Sequence, residues 1–296
     1  MGKGTTIGLY AATALVSIWV LAPVYWILNS SLQTEKALHI FPPNYFPKAP
    51  TTFAYYFLFH VKEAFQQWVA SGEVVQTTFY PAVAEQYVPS ILNSVIVATS
   101  VLAVNLVLGL MAAYAVTRMR YTLRNASFFT CFAARLIPPV AVVVPYYVIM
   151  RTAGLLDTVL AVALVHLTFT LPISMWMLNT FLNQMPTDME DAALLDGYSR
   201  AEVVWKFVLP VIRPAVVAVA IYSFMLSYGE LFYALVISQT ARSRTIPVVI
   251  AAMASNPYLP ITVMSAAAML TMIPPFIIIV IFRRYLIKGL VAGALR

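Results

Sequence analysis

A carboxylate set among hydroxyls and aromatic rings is the most suggestive chemistry in this sequence. Ser227, Tyr228, Glu230, Phe232 and Tyr233 lie together in an apolar run. Aromatic stacking combined with hydrogen bonding is how proteins hold polyols and sugars, so Tyr228, Glu230 and Tyr233 are candidate contacts on a solute path. Glu230 serves equally well as a polar bond to a neighbouring helix or loop, and both readings stand. Arg135 is a second charge inside an apolar run, where it either snorkels or pairs within a helix bundle. Ionisable groups in such places are functional candidates by default. His166 lies in a third apolar run, where burial against a hydroxyl or carbonyl is expected over catalysis.

The acids are otherwise concentrated in one stretch, Pro186 to Pro214. Thr187 with Glu190 and Ser199 with Glu202 each have capping-box spacing, which predicts two short helices. Gly197 falls between them, where a left-handed residue ends a helix without steric cost. Pro210 is expected to stop the second helix. Met189, Ala192, Ala193, Val203, Val204, Phe207 and Val208 are available for packing, and small Ala192 and Ala193 permit close approach to a partner. An ordinary amphipathic connector between membrane helices fits this pattern as well as a docking element does.

Other chemistries find no support. No G-x-x-x-x-G-K-[ST] phosphate loop occurs, since Gly2-Lys3 is followed by Gly4. His39, His60 and His166 are far apart and no H-E-x-x-H is present, so no metal site is expected. No nucleophile-elbow spacing exists either, and the expectation is a non-catalytic chain with no cofactor of its own. Cys131 is the single cysteine, which excludes an internal disulfide or thiolate cluster.

The elements that carry these residues are membrane helices. At 61% hydrophobic and 10% charged, with mean hydropathy +0.84, the chain is too apolar for a soluble domain. The expected fold is all-α with six spans: Ile7–Leu28, Val88–Thr117, 125–150 broken by Pro138, Pro139 and Pro145, 158–182, 211–237 and Ile261–Phe282. The first is read as a retained helix, not a cleaved signal. Residues 29–87 form an aromatic-rich extramembrane segment with short helices around Phe53–Ala70. Thr245–Ala254 is apolar but too short to cross, so an interfacial or re-entrant piece is expected. The organisation is therefore 1–28, 29–87 and a core of 88–296 that includes the 186–214 segment and a basic tail, 283–296.

The formal charge of +7 reflects topology and not nucleic-acid binding, because the basic residues flank the apolar runs. Placing both termini in the cytoplasm puts Lys3, Arg118, Arg120, Arg124, Arg200, Lys206, Arg213, Arg283, Arg284, Lys288 and Arg296 inside. Lys36, Lys48, Lys62, Arg151, Arg242 and Arg244 then lie outside. The 186–214 segment is cytoplasmic in that arrangement and the 29–87 loop is external.

The segment resembles the EAA-x3-G-x9-I-x-LP signature of permease subunits of binding-protein-dependent ABC importers. It reads Asp191-Ala192-Ala193, Gly197, Phe207 and Leu209-Pro210, with Asp for Glu and Phe for Ile. Ala112-Ala113-Tyr114-Ala115 with Arg118, Gly154-Leu155-x-Asp157-Thr158, Leu171-Pro172 with Trp176, Pro186, and the closing Lys288-Gly289-Leu290-x-x-Gly293-Ala294 resemble the MalG-like, carbohydrate-uptake branch. Where that branch has Trp-Asn-Glu in the fifth span, this chain has Tyr228-Gly229-Glu230.

The resemblance, over residues 88–296, implies a type I ABC importer permease fold in a bacterial or archaeal cytoplasmic membrane. It implies that Glu190, Asp191, Ala192, Ala193, Gly197, Phe207, Leu209 and Pro210 form the contact that couples to an ATPase dimer. Lys288, Gly289 and Gly293 would supply a tail contact. A second permease and an external solute-binding protein would complete the importer, with ATP and Mg bound by partner subunits. Sugars, oligosaccharides, polyols, glycerol and glycerol phosphates are all open as cargo. The rival is an ion-coupled secondary transporter or channel working without an ATPase. A membrane enzyme would need a convergent catalytic set, and none is visible.

Overall fold

The structure, a computed structural model, describes residues 3–71 and 81–294, with side chains over 6–71 and 81–283. Those residues form helices and connections without strands. Among the described residues, 6–31, 84–118, 159–182 and 261–283 are long and apolar enough to cross a membrane alone. Two bent pairs, Arg124–Leu136 with Pro139–Thr152 at 99° and Arg200–Val211 with Arg213–Tyr228 at 85°, give up to six if each pair is one span.

The chain divides into two compact units, one of residues 1–88 with 249–273, the other of 89–248 with 274–296. The first unit is built on α1 (Lys3–Ser31), which packs along α15 (Ile261–Thr271). Between them in sequence lie α2 (Glu35–Leu38), α3 (Phe53–Phe59) and α4 (Val61–Ala70), the short helices expected in the aromatic-rich segment. Phe57, Leu58 and Ala64 are fully buried there, and Phe57 meets Trp68 edge to face. Glu35 caps α15 by accepting from the backbone N–H groups of Ile261 and Thr262, each at 3.1 Å. That capture satisfies two donors that the helix start cannot pair itself.

The second unit holds α5 (Tyr87–Arg118) from its third residue, α6 (Arg124–Ala133), α7 (Pro139–Thr152), α8 (Val159–Leu182), α9 (Asp188–Leu195), α10 (Arg200–Val203), α11 (Leu209–Val211), α12 (Arg213–Tyr228) and α13 (Phe232–Ile237). The third span is broken where expected, because Pro138 and Pro139 cannot continue a helix arriving from α6. Thr158 caps α8, accepting from Ala161 N at 3.1 Å. Small and hydroxyl side chains let α8 and α12 approach closely. Ser174 and Ser223 hydrogen-bond across that contact at 2.9 Å, both fully buried. After α14 (Ile246–Ala254), too short to cross, the chain runs through α15 into α16 (Ile273–Ala294).

A polar knot fixes the loop after α13. Asp157 has a left-handed backbone, φ 59°, and its carboxylate accepts from the N–H groups of Gln239 and Thr240 and the hydroxyls of Thr240 and Ser243. Burial pushes this carboxyl up, but those four donors outweigh it and hold the group down at about 2.

Candidate functional site

Two regions collect the residues singled out from sequence. The first is 186–214. Ser199 forms its capping box: its hydroxyl accepts from Glu202 N at 3.3 Å, and Glu202 Oε2 accepts from Ser199 N at 3.0 Å. Gly197 has φ +90°, the left-handed end of α9 that its position suggests.

The first expected capping box does not form. Thr187 has helical backbone angles and makes no side-chain cap, and the Glu190 carboxylate that would complete the box is engaged elsewhere. Glu190 is buried and accepts from Arg118 Nε at 2.8 Å. Arg118 Nη2 also donates to the carbonyls of Leu182 and Met185, at 3.0 and 2.9 Å. One guanidinium thus ties the end of α5 to the end of α8 and to α9. Its planar fork serves three acceptors at once, which an ammonium could not do as well.

Pro210 does not end the second helix. A π-helical turn, Val204–Val208, leads into α11, which contains Pro210, and Ile212 N still donates to Val208 O at 3.0 Å. The widened turn relieves the clash between the proline ring and the carbonyl four residues back. The sharp bend follows at Ile212, and Pro214 stands in the first turn of α12. Fixed φ and a missing N–H suit proline to that place.

The inner face of the segment is Ala193, Val203, Val204 and Val208, buried with Leu178, Leu182 and Ala113 of the spans. Met189, Phe207 and Leu209 are partly buried against the same cluster. Asp191, Ala192 and Pro210 are exposed and stand outside this inner face. Leu195, 89% exposed, stands at the tip of α9. The result is two short helices fixed from below with acids and a leucine on the free side. Lys288, Gly289 and Gly293 fall outside the residues whose side chains are described.

The second region surrounds Glu230, where α12 ends and α13 begins. Glu230 Oε1 accepts from Tyr233 N at 2.9 Å, and Oε2 from Ala234 N at 3.0 Å. His166 Nε2 lies 3.1 Å from the same Oε2, and His166 Nδ1 lies 2.8 Å from Ser227 Oγ. His166 is fully buried against a hydroxyl, as expected, and against a carboxylate as well. Glu230 and Tyr233 line a cavity of about 240 Å³ with Arg135, Tyr146, Thr168 and Phe169. Tyr228 is not among the lining residues; it is buried and stacks on Phe224 at 5.5 Å. Nothing in the local pattern marks Tyr146 or Phe169, and only the fold brings them to Tyr233.

Comparison with known proteins agrees with this architecture. Residues 105–291 match the family described as binding-protein-dependent transport system inner membrane component. A sulfoquinovosyl glycerol transport system permease, SmoH of Agrobacterium fabrum, is 31% identical, covering 97% of this chain and 93% of that one. The trehalose/maltose permease MalG of Thermococcus litoralis is 30% identical over 69% of this chain and 74% of its own length. The diacetylchitobiose permease DasC of Streptomyces coelicolor is 25% identical, covering 94% and 93%. The fold matches a crystal structure of a bacterial ABC transporter involved in import of the acidic polysaccharide alginate, with TM-score 0.73 at 17% identity and coverage of 96% and 98%. The fold is thus the type I ABC importer permease fold, and the chain belongs to the family of inner-membrane components of binding-protein-dependent transport systems.

Proposed function

We propose that this chain is one half of a heterodimeric permease that carries a saccharide inward, driven by a separate ATPase dimer. The cargo class is supported by relatives named for sulfoquinovosyl glycerol, trehalose/maltose and diacetylchitobiose. A second permease completes the pathway, and an external solute-binding protein delivers the cargo. The chain itself is non-catalytic; ATP and Mg belong to the ATPases. Both termini lie in the cytoplasm, on the side that carries most of its Lys and Arg, and residues 29–87 lie outside.

The observation that carries this reading is the held segment 188–211. A coupling element must transmit force, so it must be rigid at its base and exposed at its tip. Arg118 fixes the base through three hydrogen bonds, and Leu195 and Asp191 are free at the surface. Closure of the ATPases would push on α9 to α11 and rotate the spans to which they are tied. Glu190 acts in this scheme through Arg118, while Asp191, Ala192, Gly197 and Pro210 meet the partner.

Disulfide trapping tests it. With Cys131 replaced by Ala, Leu195→Cys should cross-link to a cysteine in the cleft of the co-expressed ATPase, and nucleotide should change the yield. Cross-linking to neither ATPase copy, in an assembled complex, would remove the segment from that interface.

A further inference from the structure

We infer that the cavity lined by the α6–α7 connection, α7, α8 and the junction of α12 with α13 receives the negatively charged group of an acidic saccharide, with Arg135 as its anion contact; this rests on the saccharide-permease reading above. Two broken spans meet there. The third is interrupted between Leu136 and Pro139 with a bend of 99°, and the fifth between Tyr228 and Phe232. Irregular backbone at membrane depth is tolerated where it is buried in protein or lines a watered cavity. Both interruptions contribute to one cavity, Arg135 and Pro139 from the first, Glu230 and Tyr233 at the second.

The charges in that cavity do not cancel by pairing with each other. Glu230 already accepts from Tyr233 N and Ala234 N and contacts His166, so each of its oxygens has a local partner. Arg135 donates through Nη1 to Phe169 O at 2.8 Å. Among the described residues no carboxylate lies within 4.0 Å of its guanidinium. A guanidinium has five N–H donors in a fork that fits a carboxylate or sulfonate with two parallel bonds. A charge left in the membrane without a fixed counter-ion is costly, so a transient one is expected.

Depth disfavours the commonest alternative anion, a lipid phosphate. Phe169 is near the middle of the 24-residue α8, about 15 Å from its start at roughly 1.5 Å per residue. Headgroups lie at the faces of a core of about 30 Å, not at its centre. A sugar ring also finds a surface beside Arg135. Phe169 and Tyr233 stack at 5.3 Å, and Tyr146 stands 5.9 Å from Tyr233.

The test uses the assembled importer in detergent, titrated with digalacturonate and with neutral galactobiose and followed by saturation-transfer NMR. Digalacturonate should bind about tenfold more tightly or better, as expected for a charge-assisted contact. Arg135→Gln should abolish that preference, and Arg135→Lys should restore part of it. Equal binding of the two disaccharides, or an unchanged preference in Arg135→Gln, would overturn the inference. If Arg135→Gln fails to assemble, the wild-type preference and its loss in Arg135→Lys at high salt decide the matter. ATP-driven uptake in proteoliposomes separates the two levels. Carriage of neutral saccharides only would remove the acidic cargo and leave the permease reading standing, whereas carriage of no saccharide would remove both.

Discussion

Replacing Arg118 by alanine should disconnect the proposed coupling segment from the spans. The side chain is nearly buried, as is the Glu190 carboxylate 2.8 Å away. Removing one partner of a buried ion pair costs about 3–5 kcal/mol, because the other charge is left without compensation. The carbonyls of Leu182 and Met185 lose a donor at the same time, at about 1–3 kcal/mol for each that water cannot reach. Water entering at the end of α8 will recover part of this, so a net loss of roughly 3–5 kcal/mol is expected. Arg118→Lys should fall between, since a compact ammonium keeps the charge but not the fork. Glu190→Gln keeps an acceptor for Arg118 and should be the mildest of the three. The readouts are thermal unfolding of the purified complex and solute carried per ATP hydrolysed in proteoliposomes. Arg118→Ala should melt earlier and hydrolyse ATP with little transport. A wild-type melting curve together with a wild-type coupling ratio would refute the clamp.

Gly197→Val should strain a backbone at φ +90°, by roughly 1–2 kcal/mol, and displace α10. ATP hydrolysis without uptake, or loss of the ATPases on purification, is the expected result, and normal coupled uptake would count against it. Asp157→Ala should free the 239–243 loop, seen as faster proteolysis there, while unchanged cleavage would show that the four hydrogen bonds do not hold it. The same carboxylate gives a pH signature. Its value is lowered from 3.8 to about 2, so its stabilisation is complete above the ordinary value and is lost as pH falls from about 4 to about 2. Melting temperature should drop across that window less in Asp157→Ala than in wild type; parallel curves would contradict the assignment.

Where the chain could be read and where it could not follows from the range of the interactions. The spans and the short helices of 53–70 are set by local composition, and both emerge. Gly197 and Ser199 act on backbone within three residues, and they too behave as their spacing suggests. Glu190 has the same local spacing from Thr187 but is taken by Arg118, 72 residues earlier, a competitor that no local pattern reveals. Pro210 was expected to stop a helix because a regular α-turn cannot hold it; a π-turn can, and the valine and phenylalanine run before it gives no sign of one. The cavity was half legible. Glu230, Tyr233 and Arg135 stand out as polar groups in apolar runs, whereas Tyr146 and Phe169 reach them only through the packing of α7 and α8 against α13.

In the proposed scheme, transport through this chain is driven by ATP hydrolysed elsewhere. Uptake of a labelled saccharide is measured in proteoliposomes that contain this chain, its partner permease and the ATPases, with loaded binding protein outside. Uptake should require ATP at the ATPase face and persist when proton and sodium gradients are collapsed. Uptake by this chain alone, driven by either gradient and indifferent to ATP, would contradict the claim.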